Sequence, residues 1–175
     1  DVARVPEGTY KRGKISNITF ENITAADCYS YTRGGEIPSV IWGKPDTPIE
    51  NIHFKSVSIT AKGGNPVADS RINPPENDQR FPTDIGVLPA HAWYLRNVNN
   101  ISFIDCYFPV EKSDGKPAFV INNGSYLLFD NTTLPVRSEC GAKISIRGSE
   151  TQNLTIQNCI GMANRKLKSV SNTDF

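Results

Sequence analysis

Apolar and polar residues alternate with period two in five short stretches, and the five read as copies of one phrase. The copies are Asn17-Ile18-Thr19-Phe20-Glu21-Asn22-Ile23, Asn51-Ile52-His53-Phe54-Lys55-Ser56-Val57 and Asn100-Ile101-Ser102-Phe103-Ile104-Asp105-Cys106. Tyr126-Leu127-Leu128-Phe129-Asp130-Asn131-Thr132 is a degenerate copy, and Asn153-Leu154-Thr155-Ile156-Gln157-Asn158-Cys159 is the last. In each, the second and fourth residues point to one face and their neighbours to the other, the pattern of a strand with one buried side. No segment carries a helical period. Asn, Thr, Ile and Val abound where a helix would use Ala and Leu. The pattern therefore predicts an all-β chain.

The spacing selects among all-β alternatives. Phe20, Phe54, Phe103, Phe129 and Ile156 are separated by 34, 49, 26 and 27 residues. A hairpin sandwich shows turn signals about every 8–12 residues and no such repeat. A solenoid with coils of about 25 residues fits the last two steps. The 34-residue step is then a coil with a longer loop, and the 49-residue step is two coils or one coil with a large insertion. Short β runs ending in glycine precede three copies, at Val40 to Gly43, Phe119 to Gly124 and Ile144 to Gly148. Glycine supplies the positive φ that corners need. Asn22, Ser56, Asp105, Asn131 and Asn158 are equivalent, and are predicted to stack about 4.8 Å apart with hydrogen bonds along the column. Ile23, Val57, Cys106, Thr132 and Cys159 form the next column, which places both cysteines in a small apolar slot.

Residues 62–92 break the pattern. Pro66, Pro74, Pro75, Pro82 and Pro89 fall here among many polar residues, which argues for a loop insertion. Two readings stand: a loop that shapes a cleft wall or caps a flank, or an excursion that covers apolar surface.

Bulk properties narrow the function. The 175 residues carry a net charge of +1 with no basic stripe, so nothing points to nucleic acid or an anionic membrane. No apolar run approaches the roughly 18 residues of a membrane span. The four cysteines, Cys28, Cys106, Cys140 and Cys159, form no Cys-x-x-Cys pair, and the two histidines are His53 and His91. No metal site or cofactor is predicted, and the cysteines read as free thiols. The chain opens Asp1-Val2-Ala3-Arg4, without Met or an apolar leader, and reads as a processed chain or a fragment.

A set of motifs between Gly43 and Arg96 carries a family resemblance. These are the run from Gly43 to Ile52 containing Pro48-Ile49-Glu50-Asn51-Ile52, the pair Pro75-Glu76, the pair Phe81-Pro82, and Leu88-Pro89-Ala90 followed by Trp93-Tyr94-Leu95-Arg96. In this order they resemble the C-terminal coils of bacterial members of glycoside hydrolase family 28, the polygalacturonase and rhamnogalacturonase group. The match is strong over about a third of the chain, most specifically from Leu88 to Arg96. Asn97 stands where the family often has histidine. The resemblance implies a right-handed single-stranded parallel β-helix, a pectin-lyase-like solenoid. It implies that residues 1–175 are the C-terminal coils of that domain, with 62–92 as a long insertion. It also implies a secreted or periplasmic protein acting on a pectic polysaccharide.

The family's catalytic segments are an Asn-Thr-Asp, an Asp-Asp pair and a Gly-His-Gly, all preceding these coils. This chain has no Asp-Asp and no Gly-His-Gly, and its one Asn-Thr-Asp is Asn172-Thr173-Asp174, near the end. Inverting glycosidases need an acid and a base about 6.5–9.5 Å apart. Glu21 faces outward, and among its equivalents Lys55, Ile104, Asp130 and Gln157 the other carboxylate, Asp130, is three copies away, so no two adjacent repeats pair carboxylates. No catalytic residue is assigned, and the chain alone is expected to be inactive. Trp42 could stack on a sugar ring or pack in a loop. Arg71, Arg80 and His91 could meet a uronate carboxylate, with ion pairs to Glu76 or Asp78 as the alternative. The functional readings are thus a piece of a pectin-directed hydrolase, a non-catalytic β-helix that binds polysaccharide or serves as a scaffold, or a self-contained enzyme with unpaired acids. A cut solenoid is also expected to expose an apolar end and to self-associate through it.

Overall fold

A computed structural model describes residues 13–27, 31–32, 35–76, 86–134, 139–148 and 151–175. In chain order its strands are β1 (Ser16–Ala25), β2 (Tyr31–Thr32), β3 (Gly35–Glu36), β4 (Ser39–Trp42), β5 (Ile49–Ile59), β6 (Trp93–Ile104), β7 (Phe119–Asp130), β8 (Ile144–Arg147), β9 (Thr151–Gln157), β10 (Arg165–Val170) and β11 (Thr173–Asp174). The sole helical element among the described residues is a 3₁₀ turn at Val67–Arg71. The chain is all-β.

Strands β1, β5, β6, β7 and β9 pair in parallel, each copy of the repeated phrase lying beside the next. Phe20 pairs with Phe54, Phe54 with Phe103, Phe103 with Phe129, and Phe129 with Ile156. The register therefore steps by the sequence intervals, and the 49-residue interval is one step that carries the insertion. A second parallel run links β4 to Trp93–Arg96, then to Phe119–Asn122, then to β8. Strands β6 and β7 belong to both runs because they bend between them, at Asn97 (φ 50°) and Asn100 (φ 55°) in β6, and at Asn123 (φ 57°) and Tyr126 (φ 54°) in β7. The resulting nine-stranded sheet is not closed. At one end β1 and β4 are edges. At the other, β10 runs antiparallel to β9 and β11 antiparallel to β8.

Inward residues of both runs share one apolar core that includes Ile41, Leu95, Ile121, Ile146, Ile52, Ile101, Leu127 and Leu154. The phenylalanine column is a stack of nearly parallel rings. Centroids lie 5.0 Å apart for Phe20–Phe54, 4.8 Å for Phe54–Phe103 and 5.3 Å for Phe103–Phe129. Such pairs contribute roughly 0.5–1.5 kcal/mol each beyond area burial. Cys106 and Cys159 are buried free thiols in the predicted slot, while Cys140 is half-buried; Cys28 lies outside the described residues. Burial pushes the Cys106 and Cys159 thiols up from their ordinary value.

Two local readings need correction. Glycine does not make most of the corners. Of Gly43, Gly124 and Gly148, only Gly148 has positive φ (78°), and asparagine takes that conformation at Asn97 and Asn123. Gly43 is needed for space: a Cβ there would lie 2.6 Å from the backbone nitrogen of Ile49. The amide ladder also sits at a different corner. Asn51 donates to Asn17 (2.9 Å) and Asn100 to Asn51 (2.8 Å), along a column of positive-φ residues at the start of the phrase. In the column read from Asn22, Asn131 donates to Asp105 (2.6 Å), but Asn158 donates to Asp130 (2.9 Å). Ser56 and Asp105 carry no amide to continue a chain of donors there.

Candidate functional site

The second parallel run has an outward face. Along it, register aligns Trp42, Arg96, Asn122 and Arg147 in one row and Val40, Tyr94, Val120 and Ser145 in the other. Each row follows from period-two alternation, because Ile41, Leu95, Ile121 and Ile146 between them point into the core. The insertion lies across both rows. Leu88 and Ala90 bury the apolar row together with Tyr94 and Val120, while Ile37, Val40 and Trp42 pack at the margin. Burial of Tyr94 raises its hydroxyl pKa.

The polar row holds residues 70–76 as a strap. Arg96 meets Glu76 at 2.7 Å through Nε and donates to the Pro74 carbonyl through Nη1. Asn122 donates to the Asn73 side chain at 3.3 Å. Arg147 donates to the carbonyls of Ile72 and Ser70, and desolvation lowers its pKa from the ordinary value. Both readings of the insertion are therefore realised in part, since it covers apolar surface and also raises a wall beside the sheet.

Trp42 sits at one end of this arrangement. Its indole Nε1 donates to Glu76 at 3.3 Å, and the Arg96 guanidinium lies 4.9 Å from the ring centroid. Asn97 donates to Glu76 (2.9 Å) and to the Gly43 carbonyl (3.0 Å), so the residue found where the family often has histidine fastens the same strap. Glu76 is thus held by Arg96, Trp42 and Asn97, rather than by Arg71.

Arg71 lies at the other end, where the 3₁₀ turn, β8 and β11 enclose a cleft of about 600 Å³. Asn73, Glu139, Ser145, Arg147 and Asp174 share that lining. Asp174, the last residue of the sequence's single Asn-Thr-Asp, reaches the cleft because β11 folds back on β8, pairing Asp174 with Ser145. Arg80 lies outside the described residues.

His91 belongs to neither end. It is 3 % exposed, inside the base of the insertion. Its Nδ1 lies 2.9 Å from the Lys116 carbonyl oxygen, so the proton is on Nδ1 and Nε2 is the lone-pair nitrogen, buried without a partner in the described structure. Asp114 Oδ1 is 4.0 Å away. Burial lowers the imidazole pKa below 6.5 against the opposing pull of the Lys116 carbonyl and Asp114. Two buried carboxylates fix the start of the insertion beside it. Asp114 accepts from the Asn65 backbone and side chain (3.1 and 2.6 Å), and Glu36 accepts from the backbones of Lys62 and Gly63 (2.9 and 3.1 Å).

Sequence reasoning missed Arg147, Asn73 and Glu139. The signal for Arg147 was present, because Ile144-Ser145-Ile146-Arg147 aligns with Trp93-Tyr94-Leu95-Arg96. Nothing local marks Asn73 or Glu139. Among the described residues no group of three His, Cys, Asp or Glu side chains could hold a metal ion. Comparison with protein-family models, curated proteins and solved structures finds no match to this chain.

Proposed function

We propose that the parallel ladder is the C-terminal part of a right-handed, single-stranded parallel β-helix. The protein it belongs to would hydrolyse glycosidic bonds in galacturonan or rhamnogalacturonan. The observation that carries this reading is the apolar edge at β1 and β4, on which no further strand pairs among the described residues. Ile15, Ile18, Phe20 and Ile23 are 37–53 % exposed there. They line, with Ile41, Phe54 and Trp93, an apolar groove of about 470 Å³. An in-register stack that ends on its own core residues fits further turns of the same repeat, because stacked repeats bury their apolar faces on neighbours. The opposite end is crossed by the antiparallel strands β10 and β11.

The pectic substrate rests on the resemblance carried by Gly43 to Ile52 and Leu88 to Arg96. The acid and base would stand on turns preceding β1, and this chain would supply cleft-end coils and the terminal cap. A secreted or periplasmic location follows from the same resemblance. The test is the reading frame upstream of Asp1. A frame that encodes Asn-Thr-Asp, Asp-Asp and Gly-His-Gly, and whose product releases reducing ends from polygalacturonate while residues 1–175 release none, supports the proposal. A frame that opens at Asp1, or turnover by residues 1–175 alone, refutes it.

A further inference from the structure

The cleft between the Val67–Arg71 turn, β8 and β11 has no role in the structural scheme above. We propose that it binds a uronate unit of a saccharide, with the Arg71 guanidinium on the carboxylate. The choice of a sugar acid rests on the pectin reading; the assignment of the cleft and of Arg71 rests on geometry.

At about 600 Å³ the cleft falls within the roughly 300–1,000 Å³ of small-ligand sites. Its two guanidiniums differ. Arg147 is committed to the carbonyls of Ser70 and Ile72 and fixes the turn. Arg71, one residue beyond Ser70, is exposed and makes no hydrogen bond or ion pair among the described residues. A planar, permanently charged fork held at a cleft wall and left unpaired suits bidentate contact with a carboxylate. The remaining groups suit hydroxyls. Asn73 uses its Oδ1 to accept from Asn122, which leaves its NH₂ to donate. Glu139 and Asp174 line the cleft as carboxylates that accept hydrogen bonds from sugar hydroxyls.

The charge balance sets the ligand class. Two carboxylates offset two guanidiniums around the cleft. A triphosphate concentrates several charges beside Glu139 and Asp174 as like charges, whereas a uronate unit, one carboxylate among several hydroxyls, engages both sets.

Calorimetric titration of the full 175-residue chain with trigalacturonate tests the proposal, with maltotriose as a neutral probe of similar length. Saturable binding of trigalacturonate is expected, at least tenfold tighter than maltotriose. Arg71→Ala should weaken it at least tenfold, Arg71→Lys by less, and Lys55→Ala, on another face, not at all. Because Arg71 is exposed and unpaired, its variants should keep the parent melting temperature. Trigalacturonate binding unchanged in Arg71→Ala overturns the cleft assignment and leaves the pectin reading standing. Equal affinity for maltotriose, or no saturable binding of trigalacturonate, overturns the inference. The pectin reading fails separately, through an upstream frame without the acid and base.

Discussion

Truncating Phe103 to alanine should be the most damaging single change to the stack. Phe103 is 1 % exposed and sits at the middle of the aromatic column. Its ring is stacked on Phe54 at 4.8 Å and Phe129 at 5.3 Å, and meets Trp93 at 5.4 Å, Phe108 at 5.7 Å and Phe119 at 5.0 Å edge-on. Buried Phe→Ala changes cost about 3–5 kcal/mol, the upper part of the range applying where the site cannot collapse. Five surrounding rings, four of them held on strands β5, β6 and β7, prevent collapse here, so about 4–5 kcal/mol is expected. Phe20 provides the internal comparison. It occupies the same register position, is 38 % exposed, and among the described residues stacks on Phe54 alone. Its truncation should cost about 1 kcal/mol, from one ring pair and partial burial. Urea unfolding of both variants and the parent, followed by far-UV circular dichroism, gives the two differences. Equal costs for Phe103→Ala and Phe20→Ala, or a Phe103→Ala cost below about 2 kcal/mol, would refute the stacked column. In a longer protein that continues past β1, the cost at Phe20 should rise toward that at Phe103.

Three further outcomes follow from particular contacts. Asn100 has φ 55° and donates to Asn51, so Asn100→Ala should cost about 1–2 kcal/mol and Asn100→Gly less, measured by thermal melting; the reverse order would sink the corner argument. His91 has a folded pKa below the 6.5 of the unfolded chain. The unfolded state therefore takes up a proton first as pH falls below about 6.5, and stability should decline with a slope of at most about 1.4 kcal/mol per pH unit from this group. Urea midpoints from pH 7.5 to 5.5 should show that slope flattened in His91→Asn, and an identical slope in both would count against the buried neutral imidazole. Arg147→Ala removes both bonds to the Ser70 and Ile72 carbonyls and should free the 3₁₀ turn end of the strap, read as faster amide exchange confined to residues 67–72; unchanged exchange there would mean that the contacts of Arg96 and Asn122 and the apolar cover suffice to hold it.

The repeat was legible because a strand's apolar period and the equivalence of stacked turns are both written locally. The phenylalanine intervals reproduced the pairing register, and the Glu21, Lys55, Ile104, Asp130, Gln157 column is the observed one. The thiols of Cys106 and Cys159 followed from the column that begins at Ile23. Corner chemistry was read less well. Positive φ is available to asparagine as well as glycine, so Asn97 and Asn123 could take the turn while Gly43 and Gly124 served close packing. The candidate binding residues scattered: Trp42 lies beside Glu76, Arg71 on the cleft, and His91 in the interior.

By itself, the sequence determined the all-β class, the positions of the repeated strands and the order of residues in each column, since all three depend on side-chain alternation within a few residues. Only the tertiary structure decided where the insertion lies, which guanidinium is committed to backbone carbonyls and which is left open, and that Asp174 returns to Ser145. Those outcomes depend on contacts between segments separated by 20 to 77 residues, such as Arg96 with Glu76 and Arg147 with Ser70. No local periodicity encodes such distances, because a loop's path is chosen by the surface it finds to cover.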